Sequence, residues 1–494
     1  MKAVPDLLAD RLGDVAPAFA RPGTDDELAA GLAVARKHAG WIFIALPAPV
    51  VAAPAIVAAL PSVPVVAWSS ALTIVGAGAA CELRGTGAGR WHDVIAAARR
   101  IECGAIVDRS GAGALARPRL LGGLSFAPGA ADRAPWSGFG DAWFMLPRWT
   151  YVHDGVRAAL VLAVDARDGH QPARWSEELA AFRLALTARF TPRVQPQLVT
   201  IDYPPHPSRS AARPGEAGAC EPGDRDAWRA QVRAITDAIA TGECAKIVAA
   251  RSAVVTLAGK ARVADMLAEL DARHADCVRV LVRPPGAGAL VAATPERLVK
   301  LEGATVACDA LAGSIARSAA QAVARIGDRD DAALLASAKD RNEHELVVRA
   351  IASALRGLDA EVNAPAEPGV RTLRHVLHLH TPITATLRAP RHVLELAAAL
   401  HPTPAVGGTP TQIATDWIAA REVVPRGWYA APVGWFDLDG NGELAVAIRS
   451  GLLAGERAHL WAGAGIVAGS DPDRELAETD VKLRAMLGAL GVAA

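Results

Sequence analysis

The chain has 494 residues, with 52 basic against 52 acidic side chains, a balance that argues against nucleic acid or an anionic membrane surface as its main partner. Apolar residues make up 51%, enough for a sizeable core. The length allows two or three domains of roughly 150 residues each, or one large α/β unit. Six cysteines, at 81, 103, 220, 244, 277 and 308, form no CxxC pair and no zinc-spaced cluster. They are expected as reduced thiols of a cytoplasmic protein, and MKAVPDLLADRLGD opens without the apolar core of a signal peptide. The stretch from His38 to Cys81 is uncharged apart from the histidine and raises the question of a membrane span. Pro47, Pro49, Pro54, Pro61 and Pro64 interrupt it too often for a continuous helix of ~20 residues, so buried strands and turns are expected.

In chain order, WIFIAL and VPVVAW are apolar runs bounded by prolines and read as buried strands. LTIVGAGAACELRG reads as a strand with a glycine bend and WHDVIAAARRI as a helix. GGLSFAP, DAWFMLPRWTYVH and RAALVLAVDA continue as sheet strands. Residues 203–224, rich in Pro, Gly, Ser and Arg, form the best linker. They divide an N-terminal α/β portion (1–223), expected to complete the same fold, from a C-terminal part (224–494) where motifs are dense. Beyond the linker, Trp228, Val232, Ile235 and Ile239 form one apolar helical stripe.

KIVAARS alternates as a strand, with Lys246, Val248 and Ala250 on one face. Taken alone, Lys246 reads more readily as a lysine snorkelling to solvent than as a desolvated base. ATPERLVKLEG sets Glu296 in a corner before a strand, where a solvated turn residue is the default and a protonated acid the alternative. DRNEHELVVRAI is helical and puts Glu343 on the apolar face with Val347 and Ala350, where a carboxylate needs a cation or strong hydrogen bonds. VLHLHTPI carries His378 and His380 on one strand face; no third ligand of that type lies near in sequence, so hydrogen-bonding roles are expected. HPTPAVGGTP, with Ala405, is a loop before the helix TQIATDWIAA.

The last informative stretch runs from Arg426 to Lys482. Segments ending at Trp435–Phe436, spanning Leu444–Arg449 and spanning His459–Trp461 read as an antiparallel meander, with DLDGNGE as its first turn. AGAGIV reads as a glycine-rich loop. Ser470, Asp471 and Pro472 then start a helix on which Glu475, Glu478 and Lys482 share a face. Two carboxylates and an ammonium beside Arg449 make a site for an anionic ligand and a divalent metal.

Taken in order, KIVAARS, TPERLVKLEG, DALAGS, DRNEHELVV, VLHLHTPI, LHPTPAVGG, YAAPVGW, GELAVAIRS, AGAGIVAGSDP and the ExxExxxK helix resemble the chorismate-utilising enzymes. The resemblance covers roughly residues 224–494, with looser matches such as IVGAG and WFMLPRW before it. It implies the family's α/β (α+β) fold, with large facing antiparallel sheets and helices outside. It implies Lys246 as the general base that activates water and Glu296 as the acid that protonates the departing C4 hydroxyl. Glu343 and Glu478 match Mg2+ ligands, with Glu475 in support. His378 matches a residue beside the reacting ring, Tyr429 and Arg449 the holders of the enolpyruvyl carboxylate, Gly463 a carboxylate-receiving backbone, and Lys482 a further substrate lysine. Thr294 stands where many relatives have serine. Ala405 is similar to the isochorismate synthases, whereas ammonia-using or pyruvate-eliminating members commonly have threonine. The expected activity is therefore isochorismate synthesis from chorismate with Mg2+, feeding siderophore (salicylate) or menaquinone synthesis, by a monomer or dimer beside a downstream isochorismate-processing enzyme. Salicylate synthase, an ammonia-using synthase component and a non-catalytic chorismate-binding protein are the rival readings.

Overall fold

The computed structural model describes residues 23–35, 37–60, 64–166, 172–203, 223–316, 329–374, 376–422 and 424–492. Most of the 203–224 linker therefore lies outside the described residues. Why the early apolar runs form strands is visible in their alternation. In Val65–Ser69, Val66 and Trp68 enter one core cluster while Val65 and Ala67 enter another. Val278–Arg283 and Ala289–Thr294 divide the same way. Strands buried on both faces need apolar residues at every position, which erases the polar half of the period-two pattern.

The long strand Ala142–His153 is the seam of the molecule. One edge pairs along its length with Thr73–Gly85; the other pairs first with Arg119–Leu124 and then with Ala158–Asp165. From this seam one arm of the sheet runs through Thr73–Gly85, Val65–Ser69, Val278–Arg283, Ala289–Thr294, Ser450–Ala454 and Arg457–Ile466 to Lys246–Leu257. The other runs through Arg119–Leu124, Pro432–Asp437, Gly442–Val446, Arg297–Glu302 and Thr305–Ala316 to Val376–Leu387. Among the described residues every pairing is antiparallel except Trp41–Pro47 with Cys103–Asp108. The expected large antiparallel sheets with helices outside are present, joined through one shared strand. Helices Ala53–Ala59, Pro172–Thr187, Val263–Arg273 and Pro472–Ala489 cover the first arm through Ile56, Trp175, Met266 and Met486. No helix among the described residues is long and apolar enough to cross a membrane.

Strands from both sides of residues 203–224 interleave: Leu198–Asp202 lies on Lys246–Leu257, and Arg119–Leu124 on Pro432–Asp437.

Two local expectations are corrected. Leu444–Arg449 is not one strand of a meander: the strand ends at Val446, and a new one begins at Ser450 on the other arm. Arg449 breaks the run because its φ is +48°, a left-handed conformation no strand tolerates. AGAGIV is not a loop but the end of the strand Arg457–Ile466, so Gly463 pairs in register with Ala250.

Candidate active site

Two short crossings carry the chain directly from a strand of one arm to a strand of the other. Glu296 lies between the strands Ala289–Thr294 and Arg297–Glu302, and Arg449 lies between Gly442–Val446 and Ser450–Ala454. The crossings are tied to each other: Val446 N–H donates to the Glu296 carbonyl (3.0 Å), and Ala293 N–H donates to that of Arg449 (3.1 Å). Beside these crossings is a cavity lined by residues of both arms and of the helices Ala338–Gly357 and Pro472–Ala489. Its lining includes Glu296, Glu343, His378, Ala405, Tyr429, Arg449, Gly463, Glu478 and Lys482.

Lys246 does not snorkel. It is 0% exposed, because its strand is interior to the sheet and Gly465, paired with Val248 on the neighbouring strand, leaves room for its stem. A Cβ on Gly465 would lie 2.8 Å from Lys246 Cε and overlap Glu343 Oε1. The ammonium is 2.9 Å from Glu343 Oε1, but the contact lacks hydrogen-bond alignment, so the pair is ionic and the Lys246 N–H groups have no hydrogen-bond acceptor among the described residues.

Glu296 is 4% exposed and is not a solvated turn residue. Its N–H donates to Thr294 Oγ1 (3.2 Å), so the threonine caps the corner that aims the carboxyl inward. Burial pushes its pKa up to about 8; Lys246 opposes this, Asp309 adds to it, and Lys482 and Arg449 oppose it more weakly. A carboxyl that is still protonated near neutrality is a general acid.

His378 is buried, and Arg449 Nη2 lies 2.9 Å from its Nε2. A guanidinium only donates, so Nε2 is the acceptor and the imidazole is neutral. Burial and the neighbouring Arg449 and Lys482 hold its pKa well below the usual range, consistent with that tautomer. His380, two residues on, meets Asp309 at 2.8 Å, so both histidines serve hydrogen bonds. Burial and the nearby Glu422 and Glu296 push the Tyr429 hydroxyl far up, keeping it a donor.

Three carboxylates each face their own lysine. Besides Lys246 with Glu343, Lys339 Nζ lies 2.6 Å from Glu475 and Lys482 Nζ lies 2.6 Å from Glu478. Asp471 caps the helix that carries the last two glutamates, accepting from the N–H groups of Asp473 and Arg474. Burial works to raise Glu478, but Lys482 and a 3.0 Å hydrogen bond from Ser314 hold it below the usual range. Glu475 is raised by burial and by Glu478, against Lys339. Among the described residues no group of three or more His, Cys, Asp or Glu stands at metal-holding distance. The donor chemistry nonetheless suits a hard cation: Glu343 and Glu478 both line the cavity, and an all-oxygen set favours Mg2+.

The residues expected to form the site lie at this cavity, with Lys246 and Glu475 just behind the lining through their partners, whereas His380 does not line it. Sequence reasoning missed Ser314, Lys339, Trp461 and Arg426. Lys339 was findable, since it sits at i−4 from Glu343 on one helix face. Trp461 lines the cavity on the face of Gly463 and Gly465, between Trp136 (ring centroids 5.0 Å apart) and Tyr429 (6.0 Å). Arg426 is buried behind the wall. Its guanidinium donates to the carbonyls of Val406 (2.6 Å) and Val248 (2.8 Å) and grips Glu422 with two hydrogen bonds, fastening the Ala405 loop to the Lys246 strand.

Comparison with known proteins agrees with this geometry. The salicylate biosynthesis isochorismate synthase of Pseudomonas aeruginosa is 37% identical over 84% of this chain and 82% of its own length. The isochorismate synthase MenF of Bacillus subtilis is 35% identical over 76% of this chain and 75% of its own. Among solved structures, the menaquinone-specific isochorismate synthase MenF from Escherichia coli superposes with a TM-score of 0.72 at 24% identity, covering 94% of this chain and all of that one. Component I of anthranilate synthase from Streptococcus pneumoniae gives 0.63 at 17% identity over 86% of this chain and 93% of its own, so the fold alone does not choose the reaction. The family model described as chorismate binding enzyme matches residues 63–491. On sequence, fold and the composition of its cavity, the chain belongs to the chorismate-binding enzyme family.

Proposed function

We infer that the chain is an isochorismate synthase, converting chorismate to isochorismate by adding water at C2 as the C4 hydroxyl departs. The observation that carries this reading is one cavity lined by Glu296, whose carboxyl burial holds protonated to about pH 8, and by Arg449 and Lys482, with the enclosed Lys246 just behind its lining. In this reading Glu296 gives its proton to the departing oxygen, and Lys246, once its ammonium has given up a proton and stands as the neutral amine, takes one from the attacking water. Arg449 holds the enolpyruvyl carboxylate, with its guanidinium oriented by His378 and the Tyr429 hydroxyl close by. Lys482 and the backbone at Gly463 complete the anion site, and the Lys482 Nζ to Gly463 carbonyl hydrogen bond (2.9 Å) fixes them together. Glu343 and Glu478 would hold Mg2+, with Glu475 behind them. The ion supplies positive charge for the ring carboxylate. Ala405, small and held by the Arg426 clamp, leaves space for water beside the ring. The chain's relatives serve salicylate and menaquinone routes, and either is open to it.

The test is to incubate the purified protein with chorismate and Mg2+ and to identify products by chromatography and mass. Isochorismate alone is the expected outcome. Salicylate and pyruvate in equal amounts would replace this reading with salicylate synthesis, an aminated product formed only with ammonia would replace it with a synthase component, and no turnover would leave a binding protein.

A further inference from the structure

Lys246 is assigned two roles that its geometry does not let it fill at once. As the base of the proposed reaction it must face substrate water. In the structure its ammonium lies against Glu343, one of the two carboxylates that line the cavity and suit a divalent cation. Because the side chain is fully enclosed, it cannot reach solvent as an alternative partner. The ion pair is also poorly aligned: at 2.9 Å it has the distance of a hydrogen bond without the geometry, and no other acceptor among the described residues takes the ammonium. A buried ammonium in that condition gains from a better acceptor whenever one arrives. Glu343, for its part, gains from a doubly charged partner.

We propose that Lys246 is a built-in competitor for the cation site, so that a divalent cation reaching Glu343 displaces the ammonium and releases it toward the substrate. The interlock rests on the Mg2+ reading above. It makes cation loading the event that frees Lys246 from Glu343, and it keeps Glu343 paired until then. Gly465 is the structural condition for it. A side chain there would fill the volume in which the Lys246 stem and the Glu343 carboxylate meet. Linkage fixes the sign of the consequence. If the ammonium and the cation compete for Glu343, removing the ammonium must strengthen cation binding to the substrate-free protein. A lysine that merely supports the fold, or that helps the site bind metal, gives no change or a loss.

The experiment is a calorimetric titration of Mg2+ into substrate-free full-length protein, wild type against Lys246→Met, repeated with Mn2+ followed by electron paramagnetic resonance. Lys246→Met is expected to bind the ion about 10-fold more tightly, within the usual range of coupling between sites. Lys246→Gln, which keeps a polar head but no charge, serves if the methionine variant does not fold, and is expected to shift the same way. Equal or weaker binding in the folded variant overturns the interlock, and so does an absence of measurable binding to both proteins. The Mg2+ reading fails separately, and takes the interlock with it, if wild type binds neither ion even with chorismate present.

Discussion

Replacing Glu296 by glutamine separates the cost of the acid from its use. Moving a carboxyl from its ordinary 4.5 to about 8 by burial means the folded protein holds a proton that the unfolded chain has released. Between those two values the native state binds one more proton, so its stability falls by about 1.4 kcal/mol for each pH unit as pH rises. The cost is absent below about pH 4.5, is complete above about pH 8, and totals about 5 kcal/mol. Glutamine has the same shape and nothing to ionise. The stability of Glu296→Gln minus that of wild type is therefore expected to grow by about 4 kcal/mol between pH 5 and pH 9, while the variant loses turnover. Urea unfolding of both proteins at pH 5, 7 and 9 measures this, because titrating groups common to the two cancel in the difference. A difference that stays constant within about 1 kcal/mol across that range would show that the carboxyl is not held protonated, and the general-acid assignment would lose its physical basis. The same carboxyl sets a kinetic limit: wild-type turnover should decline as pH rises through about 8, where the acid loses its proton.

Gly465→Ala inserts a methyl where Lys246 and Glu343 meet, on a strand buried within the sheet. Turnover should fall by about 100-fold or more, since misplacement on the order of 1 Å is enough for that, with far-ultraviolet circular dichroism unchanged. Arg426→Met leaves Glu422 buried without its partner and two carbonyls without a donor. It should cost about 3–5 kcal/mol in urea unfolding, most of it recovered when Glu422→Met is added. Ala430, at φ +57° on the cavity wall, should accept glycine with less than about 1 kcal/mol of change, because relief of the left-handed backbone offsets the added freedom of the unfolded chain. Valine at the same buried position should destabilise by about 2 kcal/mol or more, measured in the same way.

Motif order and spacing made the family resemblance and its implied fold legible before any coordinates, and the buried strands followed from proline-bounded apolar runs. What could not be read was which polar residues leave water. Lys246 opens an apolar strand, and nothing nearby in sequence says whether its end is covered. The cover comes from Gly465 and Glu343, roughly 220 and 100 residues away, and burial is a property of the assembled sheet. Glu296 was ambiguous for the same reason. The supposed meander failed at Arg449 because alternation records which face a side chain takes, not which sheet the strand joins. Arg426 stood beside Tyr429 in plain view, but the hydrogen bonds by which it ties the Ala405 loop to the Lys246 strand go to backbone carbonyls, which leave no trace in a residue string.

The two crossings between the arms have a consequence for motion. Glu296 and Arg449 are carried by the short spans that join the halves of the sheet, and those spans are hydrogen-bonded to each other through Val446 and Ala293. Breathing of one half against the other at these crossings therefore moves the acid and the carboxylate clamp together. A ligand gripping both would act as a stitch. Amide exchange at Val446 and Ala293 should slow more on chorismate binding than exchange at the outer strands, and the site would report its own occupancy in the stiffness of the seam.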